Sequence, residues 1–96
     1  MCLFLFLAFG CVNKQPSVEE WNLARVAFRS AQESEAKRYA PKVYSQARLF
    51  LKKGERSYAE RYFDESTDYF RKSRYYSEKA ENIARVKMFK QGDVTP

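Results

Sequence analysis

Residues 57–90 read SYAERYFDESTDYFRKSRYYSEKAENIARVKMFK. In this run small and aromatic side chains return at alternating steps of four and three: Ala59, Phe63, Ser66, Phe70, Ser73, Ser77, Ala80, Ala84. That spacing keeps one stripe on one face of an α-helix, and no Gly or Pro interrupts it before Gly92. Ser57 with Glu60 has the form of a capping box, which predicts a helix start at Ser57. The spacing then predicts a single helix over 57–90, on the order of 50 Å long at 1.5 Å per residue. So long a helix in a chain of 96 residues must have other elements laid along it.

Upstream, Ser17-Val18-Glu19-Glu20 has the same capping form and opens a helix predicted over 17–39. Trp21, Ala24, Phe28 and Ala31 make its apolar stripe, broadened by Ala27, and the alanines imply close helix approach. Pro41 bars helical geometry for Ala40 and suits the first turn of a new helix, predicted over 41–53. Tyr44, Ala47, Phe50 and Leu51 form its apolar face, and Lys52-Lys53-Gly54 looks like a helix end. Residues 41–56 carry a net charge of +4, residues 57–68 a net of −3 and residues 69–90 a net of +5. A hairpin folded at Gly54 would set Lys52 beside Glu60 and Arg48 beside Asp64, pairs that specify register more than they stabilise. The predicted fold is all-α: a three-helix up-down-up bundle with a long third helix whose end projects. A long helical hairpin with one arm kinked at Pro41 is the alternative.

Composition agrees with helices, since three Gly and three Pro are too few for the turns of an all-β protein. Every charged side chain lies after Cys11, so the net +6 belongs entirely to residues 12–96. Before Cys11, Leu3 to Phe9 is continuously apolar, too short to cross a bilayer but suited to a secretory signal. Ala8-Phe9-Gly10-Cys11 resembles the lipobox of bacterial lipoproteins, although that family prefers Leu where Ala8 stands and a small or aliphatic residue where Phe9 stands. The resemblance implies cleavage before Cys11, acylation of its thiol, and residues 12–16 as a polar tether. It also implies an outer-membrane address facing the periplasm, because position 12 is Val rather than Asp. Cys2 would leave with residues 1–10 and Cys11 would be acylated, so the mature chain would hold no free thiol.

The helical part resembles a family of small domains of unknown function in bacterial envelope lipoproteins, over about residues 20 to 86. The residues that carry this are Ala24-Arg25 with Ala27 and Ala31, Tyr39-Ala40-Pro41, Tyr44 with Ala47-Arg48, and Tyr58-Ala59 ahead of the alanine- and serine-spaced helix. Members often carry an OmpA-like peptidoglycan-binding domain behind it. This chain differs in having Ser66, Ser73 and Ser77 where the family favours alanine.

Chemistry-bearing patterns are few. There is no histidine, no Gly-rich phosphate loop and no nucleophile elbow, so an enzyme is not expected, nor is a cofactor or a metal site. Glu60, Asp64 and Asp68 recur at four-residue steps, which reads as a solvated face paired with the second helix. Arg71, Lys72, Arg74, Lys79, Arg85, Lys87 and Lys90 form the candidate surface for an anionic partner. Tyrosines among them, notably Tyr75 and Tyr76, would suit stacked bases, but an exported protein does not meet nucleic acid, and none is expected. The expected partners are the membrane through acylated Cys11, an envelope protein or anionic envelope polymer, and a second copy through the third helix. The resulting reading is a non-enzymatic, lipid-anchored structural or interaction module of the cell envelope. A soluble basic module binding nucleic acid or an acidic protein is the alternative.

Overall fold

The computed structural model describes residues 16–91. The signal segment, Cys11, all of the tether but Pro16, and residues 92–96, most of the stretch 91–96 that carries no pattern and is expected to be a loose tail, lie outside the described residues. The fold is all-α: α1 (Pro16–Glu33), α2 (Ala36–Tyr39), α3 (Pro41–Ala59) and α4 (Phe63–Lys90). α4 makes most of the contact with both α1 and α3, which meet one another far less.

The pairings set the directions. Ser66 Oγ donates to the Gly54 carbonyl at 3.1 Å, and Ser73 Oγ to the Ala47 carbonyl at 2.8 Å. α3 therefore runs antiparallel to α4, with seven residues on one matched by seven on the other. Trp21, early in α1, stacks on Phe70 at 5.4 Å, and the buried Ala31 joins Ala80 and Ala84 in one cluster. So α1 runs parallel to α4. This is the up-down-up arrangement, and both earlier helices lie alongside the long one, which leaves no room for the kinked hairpin.

Two helix boundaries differ from those the sequence predicts. α3 continues through Gly54 to Ala59 instead of stopping at residue 53, and α4 begins at Phe63 rather than Ser57. Gly54 is not a stop signal but a point of close approach. A Cβ there would lie 2.5 Å from Cε1 and 2.6 Å from Cδ1 of Phe70, whose side chain is wholly buried. Ser57 is buried inside the last turns of α3, so its pairing with Glu60 is not a capping box. The helix ends in a Schellman turn instead: Tyr62 N–H donates to the Ser57 carbonyl at 2.8 Å and Arg61 N–H to that of Tyr58 at 3.0 Å. Arg61 takes the left-handed conformation, φ 68°, that glycine usually supplies. With the turn at 60–62, Lys52 and Glu60 sit on one continuous helical run, and the predicted cross-hairpin pairs do not form.

The first helix breaks as well. Instead of running from 17 to 39, α1 ends at Glu33, and Glu35 is left-handed at φ 62°. Glu35 N–H donates to Gln32 at 3.0 Å, while the buried Ser34 Oγ donates to the Ala31 carbonyl at 2.9 Å. Ser17 lies in the first turn behind Pro16, its buried Oγ without a hydrogen-bond partner. Pro41 opens α3 as expected, with Ala40 outside helical geometry before it at φ −141°, ψ 60°.

α4 presents two rows of small residues about 40° apart. Ser66 and Ser73, in the row that continues to Ala80, bond across to α3; Phe70, in the row that continues to Ser77 and Ala84, stacks on Trp21 of α1. At the far end, Ala31, Ala36, Tyr39, Ala40, Tyr44, Ala80 and Ala84 form the core, with Phe28, Val43, Ile83 and Met88 packed against it. The projecting end is thereby short: Ala84 is buried and Met88 partly so, and only the last turn stands clear.

Gly54→Ala should destabilise the fold by about 1–3 kcal/mol, because overpacking against Phe70 outweighs the gain in helix propensity. Urea unfolding of Gly54→Ala, Phe70→Leu and the double variant should show positive coupling, with the smaller side chain recovering most of the loss. Ser77 Oγ is buried without a partner, whereas Ser73 Oγ bonds across to α3. Ser77→Ala should therefore raise stability by roughly 0.5–1 kcal/mol, and Ser73→Ala should not.

Candidate functional site

The seven cations expected to face an anionic partner do not share one surface. The buried stripe of α4 separates them onto two edges. Arg71, Arg74 and Arg85 lie on one; Lys72, Lys79 and Lys90 lie on the other, with Lys87 close to the stripe itself.

The arginines are already matched by carboxylates. Arg71 Nε lies 3.3 Å from Glu20 Oε2, and Arg74 Nη1 lies 3.6 Å from Glu20 Oε1. Arg74 also pairs with Glu78 at 3.5 Å, one helical turn on. Arg85 donates to Glu81 Oε2 through Nε at 3.0 Å and Nη2 at 2.7 Å. Glu20, which the sequence pattern places in a capping box, instead joins α1 to α4 here. Glu20, Arg71, Arg74, Tyr75 and Glu78 line one open hollow whose positive charge is neutralised within it.

Lys87 has a structural task. Its Nζ donates to the Tyr39 carbonyl at 2.7 Å. That carbonyl belongs to the last residue of α2, beyond which the helix offers it no backbone N–H, so the ammonium group caps the helix end. The sequence distance of 48 residues puts this contact out of reach of local patterns.

The remaining lysines make no ion pair among the described residues. Lys72 Nζ lies 5.5 Å from the Phe50 ring and 6.0 Å from that of Tyr69, and Lys79 Nζ lies 5.9 Å from the Tyr75 ring. The rings touch in turn: Phe50 stacks on Tyr69 at 6.1 Å and on Tyr76 at 5.6 Å, and Tyr76 meets Tyr75 edge-on at 5.1 Å. Lys53 adds a cation 5.7 Å from Tyr69. Phe50 and Lys53 belong to this edge although no sequence pattern assigns them to it, since only the helix register places them beside α4.

Beyond this edge the far end of the domain is apolar and open. Ala40, Pro41, Lys42, Val43, Ile83 and Lys87 line one shallow hollow; Asn82, Val86 and Lys90 extend it along α4. Val86 is 53% exposed and Phe89 71%.

The carboxylate row does not survive the shifted turn. Glu60 caps α3, while Asp64 and Asp68 stand on α4 in a hollow with Pro16, Ser17, Phe63, Thr67 and Arg71. No group of three or more His, Cys, Asp or Glu able to hold a metal ion occurs among the described residues. Asp64 and Glu65 instead occupy the first turn of α4, where negative charge is favoured by the helix dipole.

Lys87→Met keeps the aliphatic stem but removes the cap on Tyr39. It should cost about 0.5–1.5 kcal/mol in chemical denaturation, while Lys90→Met should leave stability unchanged within error.

Comparison with known proteins adds one assignment. No curated protein and no solved structure matches the chain significantly. The family model described as a domain of unknown function, DUF4398, matches residues 19–91, from the first turn of α1 to the end of α4. With three quarters of its length inside that match, the chain belongs to the DUF4398 family.

Proposed function

We propose that this protein is a non-enzymatic module of the bacterial cell envelope, tethered to the outer membrane on its periplasmic side through acyl chains on Cys11. The observation that carries the reading is the order of features along the chain. The apolar run Leu3–Phe9 ends at Gly10-Cys11, and a helical domain begins five residues later at Pro16. Five residues reach at most about 17 Å, so a lipid on Cys11 would hold the α3–α4 turn end of the domain, where Pro16 lies beside Phe63, close to the bilayer.

Among the described residues, no helix is long and apolar enough to cross a membrane. Diacylation provides enough buried methylene for stable anchoring, at about 0.8 kcal/mol per CH₂. The family match covers the helical domain and leaves its activity open. In this reading the domain works as an interaction surface, and α4, framed on two sides by the other helices, is the element that presents it.

Intact mass and membrane fractionation of the protein expressed in a Gram-negative bacterium, beside Cys11→Ser, test the tether. The expected result is a native chain cut before Cys11, heavier by its acyl groups and sedimenting with outer membrane, and a Cys11→Ser form that is neither. A full-length, unmodified, freely soluble native chain would overturn the proposal. It would favour the alternative, a soluble basic module for nucleic acid or an acidic protein.

A further inference from the structure

The charges of α4 are not distributed as its composition suggests. Its three arginines are neutralised by Glu20, Glu78 and Glu81. Lys87 is held on the Tyr39 carbonyl, and the other cations of α4 without a carboxylate partner among the described residues are Lys72, Lys79 and Lys90. At about 100° per residue these three share a sector of roughly 100° with Tyr75, Val86 and Phe89. Tyr75 is 58% exposed, and Val86 and Phe89 are more than half exposed. This face points away from the buried stripe, and a helix exposed there to water alone would carry polar residues.

We infer that the outward face of α4 from Lys72 to Lys90 docks on an anionic phospholipid surface, with the lysines on headgroup phosphates and Tyr75, Val86 and Phe89 entering the interface. The residue types select this occupant. Lysine ammonium groups on flexible stems, interleaved with aromatic and aliphatic side chains and without an acidic residue between them in that sector, match a surface that is negative outside and apolar beneath. A flat acidic protein would offer no apolar layer to receive Phe89. The contact is confined to this half of the helix, because Asp64 and Asp68 occupy the same sector nearer the α3–α4 turn. The proposal rests on the envelope reading for its lipid: a domain held at a bilayer meets it at high effective concentration, so a weak surface contact is enough to set its orientation.

Vesicle co-sedimentation of the full chain carrying Cys11→Ser tests this without acylation. Residues 1–13 bear no charged side chain, so any preference for anionic over zwitterionic vesicles belongs to the rest of the chain. Vesicles with about 30% phosphatidylglycerol in phosphatidylcholine should bind the native face far better than phosphatidylcholine alone, each lysine adding roughly five-fold at low ionic strength. The triple variant Lys72→Gln, Lys79→Gln, Lys90→Gln should lose on the order of 100-fold of that preference. Val86→Ser with Phe89→Ser should weaken binding to anionic vesicles while keeping its salt dependence. A control triple, Lys37→Gln, Arg48→Gln, Lys52→Gln, removes the same charge elsewhere and should retain most of the preference; circular dichroism checks that all variants are folded. Equal losses in both triples would overturn the inference, as would no lipid-charge preference in the native face. Binding of the native chain to duplex DNA through the same lysines, with no vesicle preference, would also overturn it. The tether reading fails separately, in mass and fractionation, so the two failures are distinguishable.

Discussion

The structure depends on Phe70 being held between Gly54 and Trp21. Among the described residues it is the largest side chain with no exposed surface. Its ring occupies the place a Cβ would take on α3 and stacks within 9° of parallel on the indole of α1. One ring thus fixes the spacing of three helices. The hydrophobic area in this small fold is limited, so contacts of this kind matter more than they would in a larger domain. Trp21 extends the cluster by meeting Tyr58 at 5.0 Å, and Tyr58 meets Phe63 at 5.2 Å across the turn. The aromatic group therefore ties both ends of the α3–α4 turn to α1.

Away from Phe70 the packing follows from smallness. Ala47 and Gly54 on α3 and Ser66 and Ser73 on α4 let the backbones approach closely enough for serine hydroxyls to reach carbonyls of the neighbouring helix. Those carbonyls retain a second lone pair beyond their own helical bond, so the added bonds need not disrupt α3. Serine at these positions is compatible with tight packing because its hydroxyl has somewhere to go. Ser77 occupies the other row, two turns on from Phe70, and its buried Oγ has no such acceptor. Serine is thus satisfied in one row of the helix and unsatisfied in the other.

The stripe of α4, the helical break at Pro41 and the up-down-up order were legible in the sequence because each rests on periodicity or on proline's fixed geometry. The boundaries at 53 and 57 were not. Gly54 after two lysines, and serine three residues before Glu60, are local patterns that fit a helix end equally well as a close contact inside a helix. Only the position of Phe70, sixteen residues later, separates the two. The true turns at Glu35 and Arg61 had no local signal, since each puts a charged residue in the conformation usually taken by glycine. Of the candidate surface, the sign of the charge was legible. Its division was not, because which cation meets a carboxylate depends on the register of α1 against α4.

That register makes Glu20 decisive for the surface charge. A single glutamate, mostly sequestered between α1 and α4, draws Arg71 and Arg74 to one edge. Exposed pairs of this kind contribute little to stability, at most about 1 kcal/mol, so their larger effect is on the electrostatic field. They cancel the positive potential on the α1 side and leave it on the side of Lys72, Lys79 and Lys90. A helix with seven basic residues after its acidic first turns thereby acquires one basic face rather than a diffuse basic coat. The rings along that face strengthen the asymmetry, because Phe50, Tyr69 and Tyr75 hold Lys72 and Lys79 near their π surfaces without neutralising them. Packing and electrostatics are thus joined in the same element: the face that α4 turns to its neighbours determines which of its charges remain for a partner.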